Sequence, residues 1–285
     1  MTSASSTILA VGAAGKFAGL VLPALVQRGA RVRGLIRNAS QAQAVRKHGA
    51  AEVATGDLRD RASLDVALQG VGSVFYIAPA FLPDEANVGK GMVEAAKQAR
   101  VRRFVFSSVI HPILASLGNH GAKGPVEEAI LDSGMEYTFL HPTLFFQNYA
   151  ASWPSIQEAG ALSEPWSNET RFSRVDYRDV AEVAAIALTD DRLLDGTFEL
   201  CAEGHLNRHD VAALLSNLLG RTIRAQKVDP ASLGEKAEPM RPMFDHYDRL
   251  GLLGNALTLR AILGREPRTL RAYFEELAAG AKVGS

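Results

Sequence analysis

Residues 7–19 read Thr7-Ile8-Leu9-Ala10-Val11-Gly12-Ala13-Ala14-Gly15-Lys16-Phe17-Ala18-Gly19. The first five are apolar strand formers and stop at a glycine turn. Phe17, Leu20, Val21 and Leu25 then recur at helical spacing, with Gly29 behind them as a C-cap. Residues 31–36 return to strand character. The stretch predicts strand, glycine turn, helix and strand, and a helical return makes the two strands parallel. Three demands meet in the turn. The chain must bend sharply, which favours Gly12. The backbone must come close to a diphosphate, which favours Gly15 because it has no Cβ. The helix must pack tightly on the strand, which Ala18 or Gly19 allows. The first N–H groups of the helix and the positive end of its dipole then face the phosphates. A tight strand-to-helix turn with no ligand would use the same glycines. Its placement between a strand and a helix near the N-terminus favours the dinucleotide.

Working outward, the alternation persists. Helices are predicted over 41–48, 61–68, 87–99 and 121–133, and strands over 51–55, 73–77, 103–107 and 137–140, the last stopped by His141-Pro142. This is the pattern of an α/β protein with a Rossmann-type doubly wound parallel sheet. Past Pro142 the pattern changes. Residues 145–161 carry aromatics and a proline and read as loop and short helix. A helix follows over 176–188 with Asp176 as N-cap and Asp179 in its first turn. Then come a strand over 197–201, a helix over 207–219 ended by Gly220, a strand over 223–228 and a mostly helical tail over 240–279. Residues 1–150 are therefore expected to form the NAD(P)-binding domain. Residues 151–285 are expected to form a smaller α/β substrate-side lobe that is not an independent folding unit, since no flexible linker divides the two.

The end of the second strand decides between cofactors. An acidic residue there suits the ribose hydroxyls of NAD, and a basic one the 2′-phosphate of NADP. The sequence has Arg37-Asn38 and no acid. A guanidinium donates two parallel hydrogen bonds to a phosphate, so NADP(H) is favoured over NAD(H). Asp57, at the end of the third strand, is a candidate for the adenine edge or an ordinary turn residue.

Composition narrows the remaining classes. The 285 residues are 47% hydrophobic and 22% charged, enough to bury a sizeable core. With 31 basic and 31 acidic side chains the net charge is zero, which argues against a nucleic-acid or membrane-surface footprint. Cys201 is the only cysteine, so no intrachain disulfide forms, and a reducing, cytoplasmic setting is expected. Residues 1–7 lack the basic start and apolar run of a signal peptide. No uncharged apolar stretch reaches the ~18–20 residues of a bilayer span. No metal-ligand spacing occurs among the seven histidines and Cys201.

The chain resembles the NmrA-like branch of the atypical short-chain dehydrogenase/reductases. Besides the turn at 12–19, the resemblance rests on Gly56-Asp57, Phe106-Ser107-Ser108-Val109 with His111-Pro112, and Asn119-His120-Gly121-Ala122-Lys123 leading into Glu127 and Glu128. It continues through Tyr137-Thr138-Phe139-Leu140-His141-Pro142 with Asn148, and Asp176-Tyr177-Arg178-Asp179-Val180-Ala181. It implies NAD(P) binding, either in a reductase or in a redox sensor that regulates a protein partner.

The short-chain reductases usually pair a tyrosine with a lysine four residues on, so that the ammonium lowers the phenol pKa. Here Lys123 takes the lysine position and Asn119 the tyrosine position. An amide cannot act as the acid. Lys123 is expected at the nicotinamide ribose, as the resemblance implies. His120 is a candidate proton donor or a helix-start residue. Ser107 or Ser108 is a candidate hydrogen-bonding partner of the substrate or a backbone cap at the strand end. Phe145 and Phe146 are candidates to wall the ring, or ordinary core. Met243, Phe244 and Tyr247 are candidates to complete an apolar pocket.

The expected catalytic set is thus Lys123, His120 and Ser107. The expected cofactor set is Gly12, Ala14, Gly15, Lys16, Phe17, Arg37, Asp57, Leu58, Ala78, Pro79, Lys123, Pro142 and Phe145. The expected activity is NADPH-dependent reduction of a small carbonyl, enone, imine or quinone, with a dinucleotide sensor as the alternative. The expected partner is a small-molecule substrate. A homodimer is also admitted, and a protein partner if the chain is a sensor; nucleic acid and membrane are not expected.

Overall fold

Every residue of Thr7–Val11 is buried, and their side chains alternate between two cores. Ile8 and Ala10 pack with Val21, Leu22, Leu25, Val180 and Ala184. Leu9 and Val11 face the other way, toward Leu64, Met92, Val93, Val126 and Ile130. A strand covered on both faces must be apolar throughout, which is why this one shows no polar alternation. The computed structural model describes residues 7–79 and 81–280, without the side chain of Lys236. Residues 1–6, on which most of the signal-peptide expectation falls, lie outside the described residues.

The elements run β1 (Thr7–Val11), α1 (Ala18–Gln27), β2 (Val32–Ile36), α2 (Ala42–Lys47), β3 (Glu52–Thr55), α3 (Arg61–Ala67), β4 (Val71–Ile77) and α4 (Glu85–Gln98). Next come β5 (Arg103–Ser107), α5 (Gly118–Gly121), α6 (Gly124–Leu131), β6 (Glu136–Pro142), β7 (Leu144–Phe145), α7 (Asn148–Ala159), β8 (Ala161–Glu164) and β9 (Arg174–Val175). The chain continues with α8 (Tyr177–Thr189), β10 (Gly196–Leu200), α9 (Arg208–Leu219), β11 (Arg224–Lys227), α10 (Arg241–Leu250), α11 (Ala256–Leu263) and α12 (Leu270–Ala278).

Seven strands form one sheet in the order β10-β6-β5-β4-β1-β2-β3, and every neighbouring pair is parallel. This is the Rossmann order extended by β10, with its switch point between β1 and β4. Helices α1 and α8 cover one face, and α3, α4 and α6 the other. The sheet therefore draws a strand and a covering helix from beyond residue 150. Ten of the thirteen residues of α8 are buried. Outside the sheet, α7, α9 and α12 share a cluster built on Trp153, Leu215, Tyr273 and Phe274. Helix α10 closes a second cluster through Met243, Phe244 and Tyr247.

Three elements differ from expectation. The helix foreseen over 121–133 is two helices, α5 and α6, broken at Ala122-Lys123. Pro125 sits in the first turn of α6, where its missing N–H is tolerated, but within one continuous helix it would remove a bond. The strand foreseen to end at Leu140 runs on through His141 and Pro142, because β10 pairs along it, Leu200 opposite Pro142. The stretch foreseen after Phe145 as loop and short helix holds a longer helix than expected, the twelve-residue α7, closed by Gly160 in the left-handed conformation.

Candidate active site

At the switch point the ends of β1 and β4 part, and a cavity of about 720 Å³ opens between the sheet and the C-terminal part of the chain. One end is the turn. Gly12 has φ +70°, a conformation other residues adopt only under strain. The Gly15 amide donates to Gly12 O at 2.7 Å, and a Cβ on Gly15 would stand 3.0 Å from that oxygen. The turn is thus a bare backbone cradle at the start of α1. Gly12, Ala14, Gly15, Lys16 and Phe17 all line the cavity.

Arg37 stands on the wall at the end of β2. Its side chain is 78% exposed, with Nη2 3.5 Å from Asp57 Oδ2. The Gln41 side chain accepts from the backbone N–H groups of Arg37 and Asn38 at 3.2 and 3.1 Å, which fixes the loop that carries the guanidinium. Asp57 is not among the cavity's lining residues, although Leu58 is. The Asp57 carboxylate accepts from Arg59 N at 2.9 Å and lies 3.5 Å from the Arg37 guanidinium, so it is engaged within its own turn.

Ala78 and Pro79 after β4, Lys123, and Pro142 and Phe145 continue the wall. The Lys123 ammonium is ion-paired with Glu85, which is only 2% exposed, and donates to Asn119 O at 3.2 Å. Burial pushes the Lys16 ammonium below the ordinary lysine range, and that ammonium donates to Gln147 O. Phe17, Phe145 and Tyr177 form a triangle with ring centroids 4.6, 4.8 and 5.0 Å apart. Beneath them Gln147 donates to Asp176 at 2.7 Å and accepts from Tyr177 N at 2.9 Å, which ties the chain after β6 to the start of α8. Asp176 caps that helix, as expected.

The far end of the cavity is apolar and aromatic: Trp166, Met243, Phe244, Tyr247 and Leu252. Ser107 and Ser108 both reach the wall, but their hydroxyls have partners. Ser107 Oγ bonds Tyr177 Oη at 2.9 Å, and Ser108 Oγ donates to Glu127 at 2.5 Å.

His120 is a correction. It does not line the cavity but stands behind the wall, fully buried. Its Nε2 lies 3.3 Å from Tyr247 Oη and its Nδ1 3.4 Å from His111 O. Desolvation pushes its pKa down to about 4. A neutral imidazole out of reach of the cavity is not the direct proton donor; the group it supports, Tyr247, is the one on the wall. Burial raises the Tyr247 pKa, so the phenol keeps its proton.

Glu85, Gln147, Trp166, Tyr177 and Glu127 were missed as site residues in the sequence. Each acts through site partners well outside one helical turn or strand pair, the nearest being His141, 14 residues from Glu127, so no local spacing marks it. Tyr177 and Glu127 sit in the quoted family motifs, which was their only signal.

The wall suits a dinucleotide. The cradle at Gly15 would be filled by any side chain. Asn119 Oδ1 and Thr143 Oγ1 are buried without a partner in residues that line the cavity, as a ligand with amide or hydroxyl groups would require. Among the described residues no cluster of His, Cys, Asp and Glu could hold a metal ion, and no helix is long and apolar enough to cross a membrane.

Sheet order, glycine cradle and switch-point cavity together define a dinucleotide-binding α/β protein of the short-chain dehydrogenase type. The chain belongs to the NmrA-like family, whose profile matches residues 4–270. It is 33% identical to an NAD(P)H azoreductase of Xenophilus azovorans over 283 residues, 95% of this chain and 98% of the relative. It is 25% identical to quinone oxidoreductase 2 of Escherichia coli strain K12, over 95% and 98% of the two chains. Its fold matches an NADPH-dependent quinone oxidoreductase of Escherichia coli solved with NADPH (TM-score 0.85, 24% identity, 95% of this chain and 99% of that one). It equally matches a triphenylmethane reductase of Citrobacter sp. solved with NADP(H) (TM-score 0.85, 20% identity, 95% and 99%).

Proposed function

We propose that the protein is an NADPH-dependent reductase that passes a hydride to small carbonyl, enone, imine or quinone acceptors. One observation carries this: a single cavity runs from the glycine turn and Arg37, past Lys123, to the aromatic end at Trp166, Phe244 and Tyr247. Residues 1–150 hold the dinucleotide, and residues 151–285 supply the substrate wall. Within the first segment the turn at 12–17 binds the diphosphate, Arg37 the 2′-phosphate and Lys123 the ribose hydroxyls. Pro142 and Phe145 confine the ring. The apolar far end excludes water and takes a flat, conjugated acceptor. The bound cofactor supplies the hydride. The full-length relatives named for azo and quinone reduction support this chemistry, since both acceptor types are flat and conjugated. The protein works in the cytoplasm, on its own or as a homodimer.

Purified protein mixed with NADPH and a panel of quinones, enones, imines and azo dyes is expected to consume NADPH, read as loss of absorbance at 340 nm, with NADH used less well. Silence across the panel removes the reductase assignment. Substitution Arg37→Ala is expected to weaken NADPH binding by about one to two orders of magnitude, the worth of charge-assisted hydrogen bonds, and to leave NADH binding nearly unchanged by calorimetry.

A further inference from the structure

Behind the serine that follows β5 lies a chain of polar groups that the proposed reaction leaves unused. Ser108 lines the cavity, and its hydroxyl donates to Glu127 Oε1 at 2.5 Å. The same oxygen lies 2.8 Å from His141 Nε2. The three come from three elements: the loop after β5, helix α6 and strand β6. The Glu127 side chain is 14% exposed and that of His141 is 9% exposed, so both groups are largely screened from bulk water.

The order of the groups matters. In a nucleophilic triad the imidazole stands between the hydroxyl and the carboxylate and removes the serine proton. Here the carboxylate stands in the middle and both neighbours bond one of its oxygens. That arrangement gives the serine no base of the triad kind. It gives a proton held by the imidazole a continuous path through a carboxylate oxygen to a hydroxyl on the cavity wall. The position that usually supplies the acid holds Asn119, which has no proton to give at neutral pH.

We propose that Ser108, Glu127 and His141 form the proton relay of the reductase, with Ser108 the catalytic residue that touches the acceptor and Glu127 and His141 acting through it. This rests on the reductase assignment above. An acceptor that has received the hydride carries new negative charge on oxygen or nitrogen. That atom takes the Ser108 Oγ proton. Glu127 takes the Nε2 proton of the His141 imidazolium, which leaves the imidazole neutral, and passes a proton on to the serine oxygen, which returns Glu127 to the carboxylate. His141 recovers a proton from water. One hydride and one proton have then been added to the acceptor, the cofactor has been oxidised, and the three side chains return to their starting states.

Two carboxylates are placed by the elements next to His141. Glu127 faces it from α6. Glu199 stands opposite it in the register of β10, and His111 Nε2 lies 3.9 Å from Glu199. Because the relay starts from protonated His141, turnover falls once the pH is high enough to deprotonate it.

The test uses the full chain and the variants Ser108→Ala, Glu127→Gln and His141→Gln. For each, kcat is followed against pH in H2O and D2O with a quinone and NADPH, and the ring nitrogens of His141 are titrated by NMR in the wild type and in Glu127→Gln. The expected result is a loss of kcat on the order of 10²-fold in each variant, the usual worth of general acid catalysis, with NADPH affinity kept. The alkaline limb should vanish in His141→Gln, and the solvent isotope effect should fall. The midpoint of His141 should drop when Glu127 becomes neutral. Variants that keep the wild-type pH limb and isotope effect overturn the relay while the reductase assignment stands. A His141 midpoint indifferent to Glu127→Gln also overturns it, and needs no turnover to read. A wild type that consumes no NADPH with any acceptor overturns both.

Discussion

Lys123 and Glu85 meet where little water reaches: Glu85 is 2% and the lysine side chain 11% exposed. A buried pair of this kind adds little net stability, but removing one partner strands a charge, at a cost of about 3–5 kcal/mol. Lys123→Ala is therefore expected to lose about that much unfolding free energy in denaturant titrations, as well as NADPH affinity. Adding Glu85→Gln should restore most of the stability without the affinity. No recovery in the double variant would mean that the pair is not the source of the loss. His120 carries a second consequence. Its folded pKa is about 4, against a reference of 6.5, because burial disfavours the imidazolium. The unfolded chain then binds a proton that the folded chain refuses. The histidine's contribution is full above pH 6.5 and is lost as pH falls toward 4. Stability of the wild type should drop more steeply across that window than stability of His120→Gln, both measured by urea unfolding at stepped pH. Parallel curves would contradict the burial of this ring.

At the level of elements, the turn between β1 and α1 joins what the sequence shows to what it hides. A Cβ at Gly15 would stand only 3.0 Å from Gly12 O, so a side chain there crowds the backbone of the turn. Gly15→Val is expected to cut NADPH affinity at least tenfold, read by calorimetry, with circular dichroism unchanged. Retained affinity would remove the diphosphate from this turn. The cradle was legible because its cause is local: a strand, two glycines and a helix within thirteen residues. The sheet was legible for the same reason, since strands covered on both faces announce themselves as apolar runs. The break between α5 and α6 was half legible, because Pro125 was in plain view but helical spacing ran across it. What stayed hidden depends on distance along the chain. Nothing near Glu85 points to Lys123, nothing near His120 points to Tyr247, and the extension of β6 through Pro142 needs β10, which arrives more than fifty residues later. The choice of His120 as proton donor failed on this ground: proximity to Lys123 in sequence says nothing about which side of the wall the ring takes.

Across the whole molecule, the boundary near residue 150 does not separate the cores. Helix α8 covers one face of the sheet with Val180, Val183, Ala184 and Ala187, packed in the same cluster as Ile8 and Val21, and β10 forms the sheet edge beside β6. Arg103, 1% exposed, lies in β5 and donates to Ala187 O and Asp190 O, both 3.0 Å away. A fragment of residues 1–150 would expose that sheet face to water, and it would leave the Arg103 guanidinium with Glu136 alone among its partners. Each large apolar side chain so exposed costs about 1.5–3 kcal/mol, against a total stability of roughly 5–15 kcal/mol for a domain. The fragment is therefore expected to fail as a folded unit, with weak near-ultraviolet circular dichroism, strong binding of the dye ANS and no calorimetric response to NADPH. Extending it through residue 200 restores α8 and β10, and should recover a cooperative unfolding transition even though the aromatic end of the cavity is still missing. A 1–150 fragment that unfolds cooperatively and binds NADPH would show that the sheet closes its own face without α8.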